Sequence, residues 1–456
     1  MSLYYPQAAV TLRIRWEDYG INDAKLQEYY KLRVLAKSVE VEINDYTEAD
    51  TFKVELDYKS FPFDPRTIRM CGVTIHMEDM ENLLNIIEPT KENTIFIGFA
   101  DEDKIKLDEG ANTVTLEGRD QTSLLIDSNY LGAPIPLSQP LDKIIEQLLQ
   151  AQEATKAIIV DNRTGEELPK FSELGSDLDP NTAVFNPKNK QTYWDIIQNL
   201  ISRAGLICYI DLDKLVISKP QKIYNRKNAK HFIFGYNIKT LEMQRKLGRN
   251  KGFNVKVQSI DFKKKTVVTA KIPLEATDKN IAGPEVTIPQ IDKDGKPIDP
   301  PKAANYLTFN VADISDKDAL IKIGENIFEE LSRQQIEGKI ETREMLIPEL
   351  DGENTRGRVT RTKPVKFSSI RVGTPILVTL NNDDLEDIRT ISSVEQRNKF
   401  LRARGFEPLV AQAFAESMNR FDTLFYTKSV RYNLDDNGFT MNIDFINFIE
   451  INAGTK

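Results

Sequence analysis

Residues 39 to 58 alternate apolar and polar side chains in two runs. Val39, Val41 and Ile43 are spaced by Glu40 and Glu42, and Phe52, Val54 and Leu56 alternate with Lys53, Glu55 and Asp57. Period two over this length predicts two strands, each buried on one face. The intervening NDYTEAD supplies the Asn and Asp residues that tolerate turn conformations. A similar pattern returns about two hundred residues later. There Leu241 and Met243 alternate with Glu242 and Gln244, and Phe253, Val255 and Val257 follow after a turn one residue longer. On this reading the second hairpin pairs the run at 241 with the run at 253.

A second repeat lies further along. The stretch TIFIGFADEDKIKLDEGANTVTLEG resembles TLFYTKSVRYNLDDNGFTMNIDF, and from Leu107 and Leu434 onward the two align without a gap. Asp108 meets Asp435, Glu109 meets Asp436, Val114 meets Met441 and Leu116 meets Ile443. The chain therefore reads as two copies of one antiparallel β-barrel or sandwich, roughly residues 8 to 130 and 231 to 452.

Between the copies the periodicity changes to that of helices. Ser138 precedes a run in which Leu141, Ile144, Ile145, Leu148 and Leu149 share one face. Thr192 and Asp195 form a capping pattern ahead of Trp194, Ile197, Leu200 and Ile201. GLICYIDLDKLVISKP then predicts two short strands around Asp211 to Asp213. Within the second copy, Ser315 to Asp318 fits a capping box, with Leu320, Ile323, Ile327 and Leu331 at helical spacing. A long loop rich in Pro, Asp and Lys is expected at about 273–304, another over 346–366, and a helical insertion at about 394–418. The expected domains are a first barrel over 1–132, a small α/β domain over 133–222, and a second barrel with its insertions (273–304, 315–334, 346–366 and 394–418) over 223–456.

Composition narrows the functional classes. A chain of 456 residues with 40% apolar and 29% charged residues is globular and long enough for several domains. A net charge of −8 does not suit a chain that grips a phosphate backbone. The basic clusters at Asn225 to Lys230, Lys263 to Lys265 and Arg397 to Arg404 read as solvated faces. No window carries the eighteen apolar residues of a bilayer span, and no leader pattern opens the chain, so membrane insertion is not expected. Cys71 and Cys208 sit in apolar runs and read as buried thiols, with no metal or cofactor implied.

Catalytic signatures are wanting. HExxH, CxxC, GxGxxG and GxSxG do not occur. His76 and His231 lie in or beside strand-like runs and read as packed or edge histidines. The run from Gly352 to Val359 lacks the Lys and hydroxyl of a phosphate loop, and Asp292 to Gly295 lacks the spacing of a calcium loop. The expectation is a chain that is not an enzyme.

Three stretches carry a family resemblance: EINDYTEADTFKVELDYKSFPFDPRTIRMCGVTIHM, IFIGFADEDKIKLDEGANTVTLEGRDQTSLLID and TYWDIIQNLISRAGLICYIDLDKLVISKP. With FSSIRVGTPILVTLNN and YTKSVRYNLDDNGFTMNIDF near the end, they resemble the bacteriophage tail or baseplate hub proteins of the late control protein D group. The resemblance implies a mainly β fold with α+β insertions, in which two tandem tail-tube-like antiparallel barrels flank a small α/β domain. It further implies a homotrimeric structural hub in the virion tail baseplate, assembled in the host cytoplasm. Two barrels per chain would then give pseudo-sixfold symmetry, matching a hexameric tail tube to a threefold central spike. The implied partners are the tail tube protein, the central spike protein, other baseplate proteins and the tape measure protein, with genomic DNA passing through unbound. The chain carries no recognisable lysozyme-like or spike extension, so puncturing is expected of other subunits.

Within this reading Glu40, Glu42, Glu55 and Asp57 are candidates to line the lumen and repel DNA phosphates. The alternative is that they form the solvated face of a half-buried sheet. Two competing functions are the hub of a tailocin or type VI-like injection system that passes effectors, and a muralytic hub enzyme.

Overall fold

In a computed structural model of the chain, the described residues are 6–16, 30–44, 48–61, 68–79, 90–107, 112–130, 135–136, 139–150, 155–156, 158–170, 184–185, 191–219, 228–245, 254–261, 266–272, 290–291, 297–298, 306–311, 317–333, 336–350, 362–379, 393–417 and 422–447. They fold into two compact units that alternate along the sequence. The first comprises Met1–Asp120, Ile223–Met243 and Glu337–Phe448, and the second Gln121–Lys222, Gln244–Ile336 and Ile449–Lys456.

The first unit begins with strands β1 (Pro6–Trp16), β2 (Tyr30–Ile43), β3 (Thr51–Asp57), β4 (Ile68–Asp79), β5 (Thr94–Leu107) and β6 (Asn112–Asp120). They pair in the order β1-β4-β5-β6-β3-β2, and β2 returns to β1 with Leu35 opposite Ala9 and Tyr30 opposite Ile14. The six antiparallel strands form a closed barrel, a shape in which the paired edges cover one another. Its interior is filled by the alternate side chains that the pattern singles out. Val39, Val41, Phe52, Val54 and Leu56 are buried, as are Val10, Leu12, Ile14, Val73, Ile75, Val114 and Leu116. The Phe52 and Phe96 rings meet at 4.9 Å. Cys71 is a buried free thiol, as expected.

The second unit opens with α1 (Thr122–Ile126), β7 (Ile135–Pro136), α2 (Leu141–Gln150), β8 (Ile159–Asn162), β9 (Val184–Phe185), α3 (Tyr193–Arg203), β10 (Ile207–Asp211) and β11 (Lys214–Ser218). β7 pairs with β9. β10 and β11 form the expected hairpin around Asp211 to Asp213, and β11 runs parallel to β8. All five apolar residues expected on the α2 face are buried, as are Trp194, Ile197, Leu200 and Ile201 of α3. These helices and strands share one core that includes the free thiol of Cys208. The Thr192 side chain accepts from the Asp195 N–H while Asp195 accepts from the Thr192 N–H, so the capping box forms. Ser138 lies outside the described residues.

Then come β12 (Lys230–Ile233) and β13 (Thr240–Arg245), followed by β14 (Asn254–Asp261), β15 (Thr266–Ile272), β16 (Gln290–Ile291), β17 (Pro297–Ile298), β18 (Tyr306–Asn310) and α4 (Lys317–Arg333). β14 pairs with β15 and, in parallel, with β18; β16 pairs with β17. Val255, Val257, Ala270 and Ile272 pack with Leu320 of α4. Gly324 brings the helix close to that sheet, since a Cβ there would stand 2.7 Å from Ile272. Ser315, Phe253, the Lys263 to Lys265 cluster and the segment from Asp292 to Gly295 lie outside the described residues.

The remaining elements are β19 (Ile336–Thr342), β20 (Leu346–Leu350), β21 (Thr362–Lys366), β22 (Pro375–Thr379), α5 (Val394–Ala403), α6 (Pro408–Ser417), β23 (Asp422–Asp435) and β24 (Gly438–Asn447). The insertion at 394–418 is thus a pair of helices. The segment expected to be a loop over 346–366 includes β20 and β21, which pair with each other, whereas Gly352 to Val359 lies outside the described residues.

The register of β23 and β24 repeats that of β5 and β6. Every partner pair of the first hairpin reappears displaced by 327 positions (107 to 434). Leu107 opposite Asn112 becomes Leu434 opposite Phe439, and Ile105 opposite Val114 becomes Tyr432 opposite Met441. The irregularity is repeated too, between Ala100 and Glu102 in one and between Thr427 and Ser429 in the other. The gapless match seen in the sequence is a match of hydrogen-bonded partners, bulge included.

The other expected hairpin does not form. β13 pairs with β19, while β14 belongs to the sheet with β15 and β18. The counterpart of β3 is β19: Phe52 opposite Gly118 and Val54 opposite Leu116 become Gly338 opposite Phe445 and Ile340 opposite Ile443. The two strands of this hairpin are separated in sequence by β14 to α4, and the apolar run at 253 to 257 imitates the missing partner. Lys239 N–H donates to the Glu341 carbonyl at 2.8 Å. The Gly338 Cα faces the Glu242 carbonyl. The apolar face expected on this run is not covered: Leu241 is half-buried and Met243 is exposed.

The copies also differ at one edge. β22 pairs with β23 as β4 pairs with β5, but its other neighbour, β12, runs parallel to it, where β1 runs antiparallel to β4. β12 continues to β20 through Lys230 opposite Glu349. These two side chains form a buried ion pair, and Lys363 reaches Glu349 at 2.9 Å. Lys230 closes the cluster expected to be a solvated face. It is buried because a carboxylate far along the chain faces it across the strands. Arg397 is likewise buried, on α5.

Candidate functional site

One edge of β2 serves two neighbours. Its first half closes the barrel against β1, and Val39 to Ile43 pair with Leu434 to Val430 of β23. The two copies are thereby joined in one sheet, β6-β3-β2-β23-β24-β19. Val39, Val41, Tyr432 and Leu434 point to the apolar side of this joint and are buried. The side chains between them point to the opposite side and form a polar face that runs through both copies.

Glu40 and Glu42 lie at the centre of that face. The Arg431 guanidinium stands 2.8 Å from Glu42 and 3.6 Å from Glu40. Glu40 is opposite Lys53, whose ammonium contacts Glu117 of β6 at 2.6 Å. Glu55 stands between Ser38 and Thr115 on the same face. Asp57 is opposite Thr113 at the end of β3, and its carboxylate accepts from the Lys59 N–H to cap a single 3-10 turn, Tyr58–Ser60. Further round, Lys339 is opposite Asp444 and Glu341 opposite Asn442. The structure thus brings Glu40 and Glu42 together and places Glu55 and Asp57 along the adjacent strand.

Arg431, Lys53 and Glu117 join the four candidate carboxylates on this face. Their signal is the same alternation: Arg431 falls between Val430 and Tyr432, as Lys53 falls between Phe52 and Val54. The hydrogen bond and charge of Glu117 push the Lys53 ammonium above its ordinary pKa, and the hydrogen bond of Glu42 does the same for Arg431. Both cations stay charged at neutral pH. The face is consequently a ladder of interspersed cations and carboxylates, with carboxylates in excess.

The histidines serve the packing of the sheets. Thr94 Oγ1 donates to the Thr90 carbonyl, so it accepts from His76 Nδ1–H at 3.1 Å, and His76 Nε2 accepts from the Thr11 hydroxyl at 3.3 Å. Burial, followed by the charges of Arg33 and Lys31, lowers the His76 pKa to about 4. His231 Nε2 meets Thr379 Oγ1 at 3.0 Å beside the parallel pair β12 and β22. Burial raises the thiol of Cys208 to about 12, and burial with the charge of Asp103 does so for Cys71. Neither thiol is poised as a nucleophile.

No protein-family model matches the chain, and no curated protein sequence matches it. Solved structures do. A tail protein from Neisseria meningitidis MC58 aligns over 96% of each chain with 11% identity and a TM-score of 0.53. The 43 kDa tail protein of prophage MuSo2 from Shewanella oneidensis aligns over 96% of this chain and 98% of its own, with 13% identity and a TM-score of 0.53. The chain has the fold of phage tail proteins, a barrel-based β fold with helical additions.

Proposed function

We propose that this chain is the structural hub of a phage tail baseplate: a homotrimer that adapts the hexameric tail tube to the threefold central spike and forms part of the DNA ejection channel. The observation that carries the reading is the internal duplication, in which two hairpins share one register and meet in one sheet. A trimer of such chains repeats the same motif six times around its axis while retaining true threefold symmetry. The polar face with Glu40, Glu42, Glu55 and Asp57 lines the channel in this reading. Its surplus carboxylates keep DNA mobile by repulsion, and the interspersed Arg431 and Lys53 hold the carboxylates in place.

The likeness to phage tail proteins supports a structural role in the tail, and the tube, spike and neighbouring baseplate proteins follow as partners. The role asks for no catalytic residues. The test is the mass of the purified protein by light scattering, followed by imaging. A particle of three times 52.0 kDa with six related lobes supports the hub, and a trimer with no sixfold repeat refutes it. Reversing the charge of all four carboxylates should slow DNA ejection from assembled particles. Unchanged ejection would remove the channel assignment.

A further inference from the structure

Among the described residues two lysine or arginine side chains are buried, and the fold treats them differently. Lys230 is matched by Glu349 across the strands. Arg397, 6% exposed on α5, has no such match: its Nε and Nη1 are buried without a hydrogen-bond partner. A guanidinium withdrawn from water with no carboxylate beside it is strongly destabilising. The helices that carry it are an addition to the repeat. β4 and β5 of the first copy are joined by residues 80–93, whereas their counterparts β22 and β23 are joined by 380–421. The added segment is nevertheless well built. Ser393 caps α5 by accepting from the Gln396 N–H. At the other end Gly405 adopts a φ of +88°, and the Phe406 N–H returns to the Leu401 carbonyl, which turns the chain into α6. Leu401 and Ala411 pack together, and Asn398 donates to Gln412.

The hairpin leaves apolar surface open. Leu409 is 85% exposed, the most exposed large apolar side chain among the described residues, and Phe406 and Val410 near it are exposed too. On α5, Val394, Arg397, Phe400 and Arg404 follow at spacings of three and four, so they share one stripe. Val394 and Arg404 at its ends are exposed, and the Arg404 guanidinium lies over the Phe400 ring at 3.7 Å. Charge within the hairpin runs against that of the chain. Residues 394 to 410 hold four cations, Arg397, Lys399, Arg402 and Arg404, and two carboxylates, Glu395 and Glu407, in a protein of net charge −8. Lys399 and Glu395 form an exposed pair at 3.3 Å, which is worth little and leaves the arginines in surplus.

We propose that the α5-α6 hairpin is a docking surface for a neighbouring protein, which presents a segment of interleaved acidic and apolar side chains. A carboxylate of that segment pairs with Arg397, and its apolar groups cover Phe406, Leu409 and Val410. Charge and apolar surface select this occupant together. A nucleic acid would satisfy the cations and leave Leu409 and Val410 without apolar contact, and a second hairpin of the same kind would set like charges against each other. The stripe open at Val394 and Arg404 gives the carboxylate its approach. An arginine already withdrawn from water in the free chain is pre-organised for the contact, because its desolvation precedes the arrival of the partner. The proposal does not depend on the threefold reading of the hub.

The test offers the labelled full chain to a yeast-displayed library of random peptides of about four helical turns. The enriched peptides should combine Asp or Glu with Leu, Ile or Phe. Their affinity should fall about tenfold or more on Arg397→Met, as for one lost charge-assisted hydrogen bond, and likewise on Leu409→Glu. Val267→Glu, at an open apolar position on β15, should leave it unchanged. Thermal unfolding gives a readout that a structural role would not. Free Arg397→Met should melt at or above wild type, because it removes an unpaired buried charge, and a selected peptide should raise the Tm of wild type but not of the variant. A lower Tm for free Arg397→Met overturns the proposal, since the guanidinium then has its partner within the chain. A library that yields no binder sensitive to both substitutions overturns it as well. A single-stranded DNA oligonucleotide that binds with the same dependence on Arg397 would give the surface to nucleic acid, and self-association abolished by Leu409→Glu would give it to a second copy; either result overturns the proposal. The hub reading is judged separately, by the mass and symmetry of the wild-type particle.

Discussion

Replacing Gly338 by alanine tests the alignment of the copies most directly. In the first copy a phenylalanine on β3 faces a glycine on β6, Phe52 opposite Gly118; in the second the sizes are exchanged, Gly338 opposite Phe445. A Cβ at position 338 would stand 2.3 Å from Phe445 Cζ and 2.6 Å from the Glu242 carbonyl. Ordinary contact begins near 3.4 Å, so ring and carbonyl must both give way. Phe445 is 1% exposed and packs against Phe425 at 4.6 Å between centroids, which leaves the ring no space to retreat. The carbonyl belongs to β13 and moves only by loosening its pairing with β19. Both obstacles place the substitution at the upper end of overpacking costs, about 3 kcal/mol. Phe445→Leu removes the clashing ring edge at a cost of its own, so the double variant should be more stable than the sum of the singles by at least about 1 kcal/mol. Urea unfolding followed by fluorescence measures this. The two tryptophans are Trp16 and Trp194, and a Trp194→Phe background leaves Trp16 to report on the first unit. A Gly338→Ala variant within about 0.5 kcal/mol of its parent would refute the facing of Gly338 and Phe445.

Removing Glu349 strands the buried Lys230. Glu349→Leu should cost about 3–5 kcal/mol, and Lys230→Met with Glu349→Leu should recover most of it; no recovery in urea unfolding would deny the pair its coupling. His76 is neutral in the fold, with its pKa lowered from 6.5 to about 4. Its contribution is complete above pH 6.5 and is lost as pH falls towards 4, by about 3 kcal/mol over that window at 1.36 kcal/mol per unit. His76→Gln should therefore lose less stability than wild type between pH 7 and pH 4.5, and parallel curves would contradict the assignment. Arg431→Ala, on an exposed face, should cost less than about 1 kcal/mol, with an effect that shrinks in high salt. A larger, salt-independent loss would mean that the face is desolvated.

The sequence discloses structure where partners are near each other or where the pattern is unbroken. The repeat of β5-β6 in β23-β24 was legible because Leu107 and Leu434 start equal turns with no insertion. Thr192 and Asp195 were legible because a capping box is local. β19 was not, because Gly338 interrupts the apolar alternation that marks its counterpart at Phe52, and its partner strand lies far upstream. Val255 and Val257 satisfied the same pattern for a different sheet, since period two specifies a half-buried strand and not its neighbour. The burial of Lys230 depended on Glu349, over a hundred residues away. The four candidate carboxylates were legible as one face, while the Arg431 that joins Glu40 and Glu42 became visible once β2 was found beside β23.

The division of a hairpin by an inserted unit has a consequence for how the chain acquires its structure. β2 and β3 are joined by a short turn and can pair as soon as both leave the ribosome. β13 and β19 are separated by about 90 residues, which as a slack loop would cost about 2 kcal/mol more in closure entropy than that turn. Folding of the sheet of β14, β15 and β18 with α4 would take up that slack and bring the two strands within reach. During synthesis the first barrel is complete while the second copy still lacks β19, β23 and β24. The edge of β2 at Val39 to Ile43, which pairs with β23 in the folded chain, would then serve as a template for it.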